Sequence, residues 1–228
     1  MTAYLPTVAS ARRQVHAACL RMVADGLVVA SSGNISVRTA LDSFVVTAGG
    51  VPYHLLKTSD HPVVSTVDGS FTGARPPTSE LALHLAVYRA MPEISAIVHT
   101  HSRYAAAFSV ARIDLPFICN ENIATHAEKV LVTDYQAPGT RDLGDETLRT
   151  LRRQPGSRAV LLANHGVVAV AGDLDTAYNV AAQVEWVANV LHLAAMIPTD
   201  LGPVRVLPAD VQDLIGRNYS VAIAREVP

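Results

Sequence analysis

Between residues 7 and 25 apolar side chains recur every three or four positions. Val15, Cys19, Met22 and Val23 fall on one helical face, and Gly26 is the expected stop. The pattern then changes. "LVVASSGNISVR" and "DSFVVTAGGVPY" each read as extended chain broken by a small polar turn, at residues 31 to 34 and at Gly49 and Gly50. Pro52 opens a short helix after the second turn. "HPVVSTVDGSFTG" predicts a hairpin turning at Asp68 and Gly69. "PPTSELALHLAVYRAMP" predicts a helix whose start the prolines set, with Leu81, His84, Leu85 and Tyr88 as one stripe. A strand over 95–100 and a small-residue helix over 103–110 follow. The irregular segment 113–141 holds short strands at 115–119 and 129–132, and a helix covers 142–153. "SRAVLLANHGVVAVAG" predicts two strands meeting at Asn164, His165 and Gly166, before a long apolar helix over 174–196 and a short one over 208–216. Strands and helices mix without a regular βαβ alternation. The expected fold is therefore α/β, a mixed or antiparallel sheet flanked by helices. No repeat or linker divides the chain, so a single domain over 1–228 is expected.

Composition narrows the function. Half of the 228 residues are hydrophobic, enough for a large core, and only 17% are charged, which points to surface covered by neighbouring subunits. A net charge of -2, with no basic stripe, gives no field for nucleic acid. "MTAYLPTVASARRQV" lacks the apolar core of a signal peptide, and no apolar run approaches the roughly 20 residues a membrane span needs. Cys19 and Cys119 are the only cysteines and imply no disulfide framework. A soluble cytoplasmic protein is expected.

The chemistry begins at "AIVHTHS". Alternate side chains of a strand share a face, so His99 and His101 point the same way with Thr100 turned from them. His165, beside a glycine that lets the backbone turn closely, is the candidate third ligand. Three neutral imidazoles with an open fourth position suit Zn²⁺. Glu80, in the first turn of its helix, reads either as a cap favoured by the helix dipole or as a carboxylate beside an anion site made with Thr78 and Ser79. The turns at Gly33 and Asn34 and at Gly49 and Gly50 are two more N–H-rich corners able to converge on one phosphate. Neither nucleotide-binding glycine motif is present. Lys57 and Lys129, the only lysines, sit in polar settings unsuited to a Schiff base, and no G-x-S-x-G elbow exists.

"SSGNISVR", "VTAGGVPY", "PPTSELALHLAVYRAMPEISAIVHTHS" and "LLANHGVV", in this order and spacing, resemble the class II aldolase/adducin family, nearest its L-fuculose-1-phosphate aldolase branch. The resemblance covers about residues 8 to 225. It implies a three-layer α/β/α sandwich with a central, largely antiparallel sheet, and a homotetramer with active sites at its interfaces. It also implies Zn²⁺ on His99, His101 and His165, with Glu80 both near the metal and acting as base. The phosphate turns fall on Gly33, Asn34, Gly49, Gly50, Thr78 and Ser79. Gly49 stands where the aldolase branch usually has a hydroxyl residue. In "LPFICNENIATHA" the branch's tyrosine acid is replaced by Glu121 or Asn120, depending on a one-residue shift; a glutamate there resembles the related methylthioribulose-phosphate dehydratases. Tyr219, in "GRNYSVAI", matches a tail tyrosine that reaches a neighbouring subunit's site. The implied reaction is cleavage of a ketose 1-phosphate, such as L-fuculose 1-phosphate, to dihydroxyacetone phosphate and a small aldehyde, with Glu121 or Tyr219 as the second acid. A dehydratase, 4-epimerase or decarboxylase of the same family, or a non-catalytic adducin-like scaffold, are the alternatives.

Overall fold

The computed structural model describes residues 5–198, 200 and 202–226, with side chains 218–226 excepted. Its elements in chain order are α1 (Val8–Ala24), β1 (Asn34–Ala40), β2 (Ser43–Val46), β3 (Val63–Ser65), β4 (Phe71–Thr72), α2 (Leu81–Ala90), β5 (Ala96–Thr100) and α3 (Arg103–Ala111). After these come β6 (Leu115–Pro116), β7 (Lys129–Val132), α4 (Arg141–Arg152), β8 (Ala159–Leu162), β9 (Gly166–Ala171), α5 (Leu174–Ala195) and α6 (Ala209–Glu226). The strands form one sheet in the order β4-β3-β2-β1-β5-β9-β8-β7-β6. Among the described residues only β7 and β8 pair in parallel. The expected largely antiparallel α/β/α sandwich is what the chain adopts.

Strand alternation builds the layers. Ile35 and Val37 of β1 and Ala96 and Val98 of β5 pack with α1 and α5 in one core. Phe44, Val46, Ile97, Val168 and Val170 face the other way and pack with Leu83, Val87 and Tyr88 of α2 and Leu143 and Leu151 of α4. By the same parity, Asn34 and Ser36 of β1 and His99 of β5 lie on the α2 side of the sheet. The register Asn34↔His99 sets the ends of these two central strands side by side.

Several local expectations shift. Leu27 to Ala30 form no strand; Gly26 and Ala30 have positive φ, and the segment turns instead of running extended. Val23 is turned outward at 49% exposure, and Ala11 and Ala18 complete the buried face of α1. The buried stripe of α2 is Leu83, His84, Val87 and Tyr88, with Leu81 and Leu85 at its edge. The last helix is longer than its sequence pattern suggested and reaches Glu226. Among the described residues no helix is long and apolar enough to cross a membrane.

Candidate active site

The first histidine pair is placed by β5. His99 is its fourth residue and fully buried, and His101 follows one residue past the strand's end. The third histidine is placed by the β8–β9 hairpin. Leu162 pairs with Gly166, Asn164 takes the left-handed conformation, and His165 donates its amide to Leu162. Glycine is required at 166 because a Cβ there would collide with the Thr100 carbonyl of β5. That close approach brings His165 to the end of β5. The fourth member comes from the residue before α2: Glu80 makes no capping bond with its side chain, so the reading of this residue as a cap is not what the chain uses it for.

Glu80, His99, His101 and His165 each offer a ligand atom, all within 4.8 Å of one another. His99 Nε2 lies 2.9 Å from Glu80 Oε2 and 2.9 Å from His101 Nε2, and His165 Nε2 lies 3.4 Å from Glu80 Oε1. The three imidazoles meet edge to face, with ring centres 4.6 to 4.8 Å apart. His99 Nδ1 is 2.8 Å from the Val167 carbonyl, an acceptor, so Nδ1 carries a proton. In neutral His99 the Nε2 lone pair then faces a carboxylate oxygen and another ring nitrogen. Such an arrangement calls for a cation. Glu80 Oε1 is buried without a hydrogen-bond partner among the described residues. A proton on His99 satisfies part of this; a divalent metal would satisfy all four donors. The donor set of three imidazoles and one carboxylate fits a metal of the zinc kind.

The electrostatics agree. Burial raises the Glu80 carboxyl, but His99, then His165 and the Asn34 amide, outweigh it and hold the group well below the usual carboxylate range. Burial, with the charge of His99, pushes His101 down to about 3 and His165 to about 4. Both rings are therefore neutral at physiological pH, the form in which an imidazole can bind a metal.

Above this cluster lies a cleft of about 350 Å³ whose walls include Gly33, Asn34, Gly49, Gly50, Thr78, Ser79, Glu80, His101 and His165. All three predicted turns therefore converge with the histidines. Their roles differ in detail. Gly49 donates its amide to Pro76, and a Cβ there would press on the Pro77 carbonyl. Thr78 Oγ1 accepts the Glu80 amide, and Asn34 Nδ2 donates to Glu80 Oε2 at 2.9 Å. The amides of Gly33, Gly50 and Ser79 have no acceptor among the described residues and are free for an anion.

Tyr53 was not anticipated. Its hydroxyl reaches the carbonyls of Ser32 and Gly33 at 2.9 and 2.7 Å and braces the first turn. Its place directly after "GGVP" was the available signal. Glu121 sits in a 3-10 helix, Asn120–Thr125, that packs on α5, and it is not among the residues lining the cleft. Tyr219 falls on α6, in the part of that helix whose side chains lie outside the described residues.

Residues 13–192 match the sequence-family model for the Class II Aldolase and Adducin N-terminal domain. The chain is 32% identical over 210 residues to the 5-deoxy-D-ribulose 1-phosphate aldolase of Bacillus thuringiensis serovar kurstaki, covering 91% of this chain and 94% of that one. It is 32% identical over 192 residues to the L-fuculose phosphate aldolase of Escherichia coli K12, covering 84% and 86%. A solved L-fuculose 1-phosphate aldolase superposes with a TM-score of 0.84 at 29% identity, over 92% of this chain and 96% of that one. With the four donors gathered beneath one cleft that the three turns wall, these likenesses place the chain in the class II aldolase/adducin family, as an enzyme of its aldolase kind.

Proposed function

We propose that this enzyme cleaves a ketose 1-phosphate, with L-fuculose 1-phosphate or a 5-deoxypentulose 1-phosphate as lead substrate, to dihydroxyacetone phosphate and a small aldehyde. One observation carries the proposal: a carboxylate and three imidazoles converge at one end of a cleft whose walls also hold three unpaired turn amides. The amides of Gly33, Gly50 and Ser79 seat the phosphate, with Gly49, Thr78 and Asn34 shaping its walls. His99, His101, His165 and Glu80 hold the metal, read as Zn²⁺. When bound, it supplies positive charge where oxyanion charge develops on the substrate.

Glu80 remains a carboxylate at neutral pH because of the charges beside it, so it is available as a base. In the condensation direction it takes a proton from the carbon next to the carbonyl of dihydroxyacetone phosphate. The new carbon–carbon bond forms there, and a second acid gives a proton to the aldehyde oxygen. Cleavage is the reverse. Glu121 does not line the cleft of its own chain. We therefore assign the second acid to Glu121 or Tyr219 of a neighbouring copy in a cytoplasmic homotetramer, each copy a single unit over residues 1–228.

A dehydratase reading is favoured by one feature, the glutamate at 121 where the aldolase branch has a tyrosine. Product analysis on L-fuculose 1-phosphate, 5-deoxyribulose 1-phosphate and 5-methylthioribulose 1-phosphate separates the two. Dihydroxyacetone phosphate with an equal amount of aldehyde is expected. Loss of water with no dihydroxyacetone phosphate would replace the aldolase reading by the dehydratase one.

A further inference from the structure

Beneath the cleft, β1 and α2 share a buried polar seam. On the strand, Asn34, Ser36 and Arg38 stand two residues apart; on the helix side, Glu80, His84 and Tyr88 stand four apart. Two strand residues advance about 6.6 Å and four helical residues about 6 Å, so the two rows stay in step. Each rung is bonded. Asn34 Nδ2 meets Glu80 Oε2 at 2.9 Å, and Asn34 Oδ1 meets His84 Nε2 at 2.6 Å. His84 Nδ1 meets Ser36 Oγ at 2.7 Å, and Ser36 Oγ meets the Tyr88 hydroxyl at 2.9 Å. Arg38 closes the row by donating to the Tyr88 carbonyl, with its guanidinium over the Tyr88 ring. Asn34, Ser36, His84 and Tyr88 are all buried.

The proton positions in this seam follow from its end. The Glu80 carboxylate only accepts, so the Asn34 amide presents its NH₂ to it and its oxygen to His84. His84 Nε2 must then carry the proton, and Nδ1 accepts from the Ser36 hydroxyl. Ser36 in turn accepts from the Tyr88 hydroxyl at 2.9 Å, the shorter of that hydroxyl's two contacts, the other being the Ser95 carbonyl at 3.4 Å. Burial pushes the His84 imidazole down to about 3, against the pull of the Glu80 charge, which keeps the ring in its neutral form. From Tyr88 through Ser36 and His84 to Asn34, each side chain then donates to the next in the direction of Glu80.

We propose that His84 is a positioning residue: its Nε2–H fixes the Asn34 side-chain amide in the one orientation that holds Glu80 Oε2 toward the histidine cluster. The inference rests on the reading of Glu80 as a member of the metal centre. No hydrogen bond joins the His84 and Glu80 side chains, so the bonded link between them runs through Asn34.

Two substitutions separate the halves of the ring. His84→Gln keeps a donor near the Nε2 position. His84→Asn keeps a polar group near Nδ1 but cannot reach Asn34. Zn²⁺ affinity of the full chain is measured by chelator competition for wild type, both His84 variants, Asn34→Ala and the His84→Asn/Asn34→Ala double variant, together with thermal unfolding. His84→Asn is expected to weaken Zn²⁺ binding roughly 10–100-fold, the usual effect of losing a partner behind a metal ligand. His84→Gln is expected to stay near wild type. The double variant is expected to bind no more weakly than Asn34→Ala alone, because His84 acts through that amide. The proposal is overturned if His84→Asn lowers the unfolding temperature while Zn²⁺ affinity stays at the wild-type level. It is also overturned if the two single losses multiply in the double variant, or if folded His84→Gln is as weak as His84→Asn. A wild-type chain that binds Zn²⁺ but cleaves no ketose phosphate would sink the aldolase reading and leave this affinity cycle intact.

Discussion

The ring nitrogens His99 Nε2 and His101 Nε2 stand 2.9 Å apart, with the Glu80 carboxylate 2.9 Å from the first of them. Two imidazoles and a carboxylate at such separations can share one cation, and the fold has built them from a strand, the residue beyond it and a helix start. Glu80 and His99 come from opposite sides of one sheet-to-helix packing, and the His165 hairpin closes the third side.

Glu80→Gln is expected to fold and to lose about 10²–10⁴-fold in turnover, since the amide cannot take a proton. Circular dichroism and retro-aldol rate measurements check this together. The contrary pattern is wild-type turnover with a loss of about 0.5–2 kcal/mol in stability, as for a missing helix cap. It would retire Glu80 as the base.

Stability is expected to fall as pH drops below about 6.5, through two buried histidines. His61 is fully buried, with Nε2 3.3 Å from His16 Nδ1, and burial together with a charge on His16 pushes it down to about 4. His84 is pushed to about 3 by burial. In the unfolded chain both titrate near 6.5, so between those values the unfolded state binds more protons and stability rises with pH. The contribution is complete above pH 6.5 and is lost as pH falls toward 4 and then 3, at up to about 1.4 kcal/mol per pH unit for each ring. Urea midpoints measured from pH 7 to pH 4 should fall, and fall less steeply in His61→Asn. Midpoints constant over that range would contradict the account.

Much of this architecture was legible in the sequence because it rests on short-range pattern. The period of residues 7–25, the hairpin at Asp68 and Gly69, and the pairing of His99 with His101 across Thr100 need only the geometry of a helix, a turn or a strand. His165 was legible because Gly166 follows it, and the structure shows why: no side chain fits against Thr100 there. What the sequence did not disclose rests on contacts between distant segments. Asn34 read as a phosphate-turn residue, yet its side chain serves Glu80, 46 positions away. Gly49 read as a phosphate donor, yet its amide is taken by Pro76. His84 read as one member of an apolar helix stripe, and the partner that satisfies its ring lies on a strand 50 positions earlier in the chain.

The second acid is expected to act between subunits. Sedimentation at micromolar concentration should give a tetramer, and a monomer would contradict the interfacial site. Glu121→Gln and Tyr219→Phe then decide which residue serves: the variant that loses retro-aldol turnover marks the acid. Mixing that variant with Glu80→Gln chains should restore part of the activity, because some sites then combine an intact base with a neighbour's intact acid. No recovery in verified mixed tetramers would place the acid within the same chain.

The metal content of the purified chain is the measurement closest to the centre of the account. Elemental analysis of protein prepared without chelators, and of its His99→Ala variant, should find about one zinc per wild-type chain and almost none in the variant, with the variant still folded around its large core. A wild-type chain carrying no divalent transition metal, or a variant carrying as much as the wild type, would contradict it.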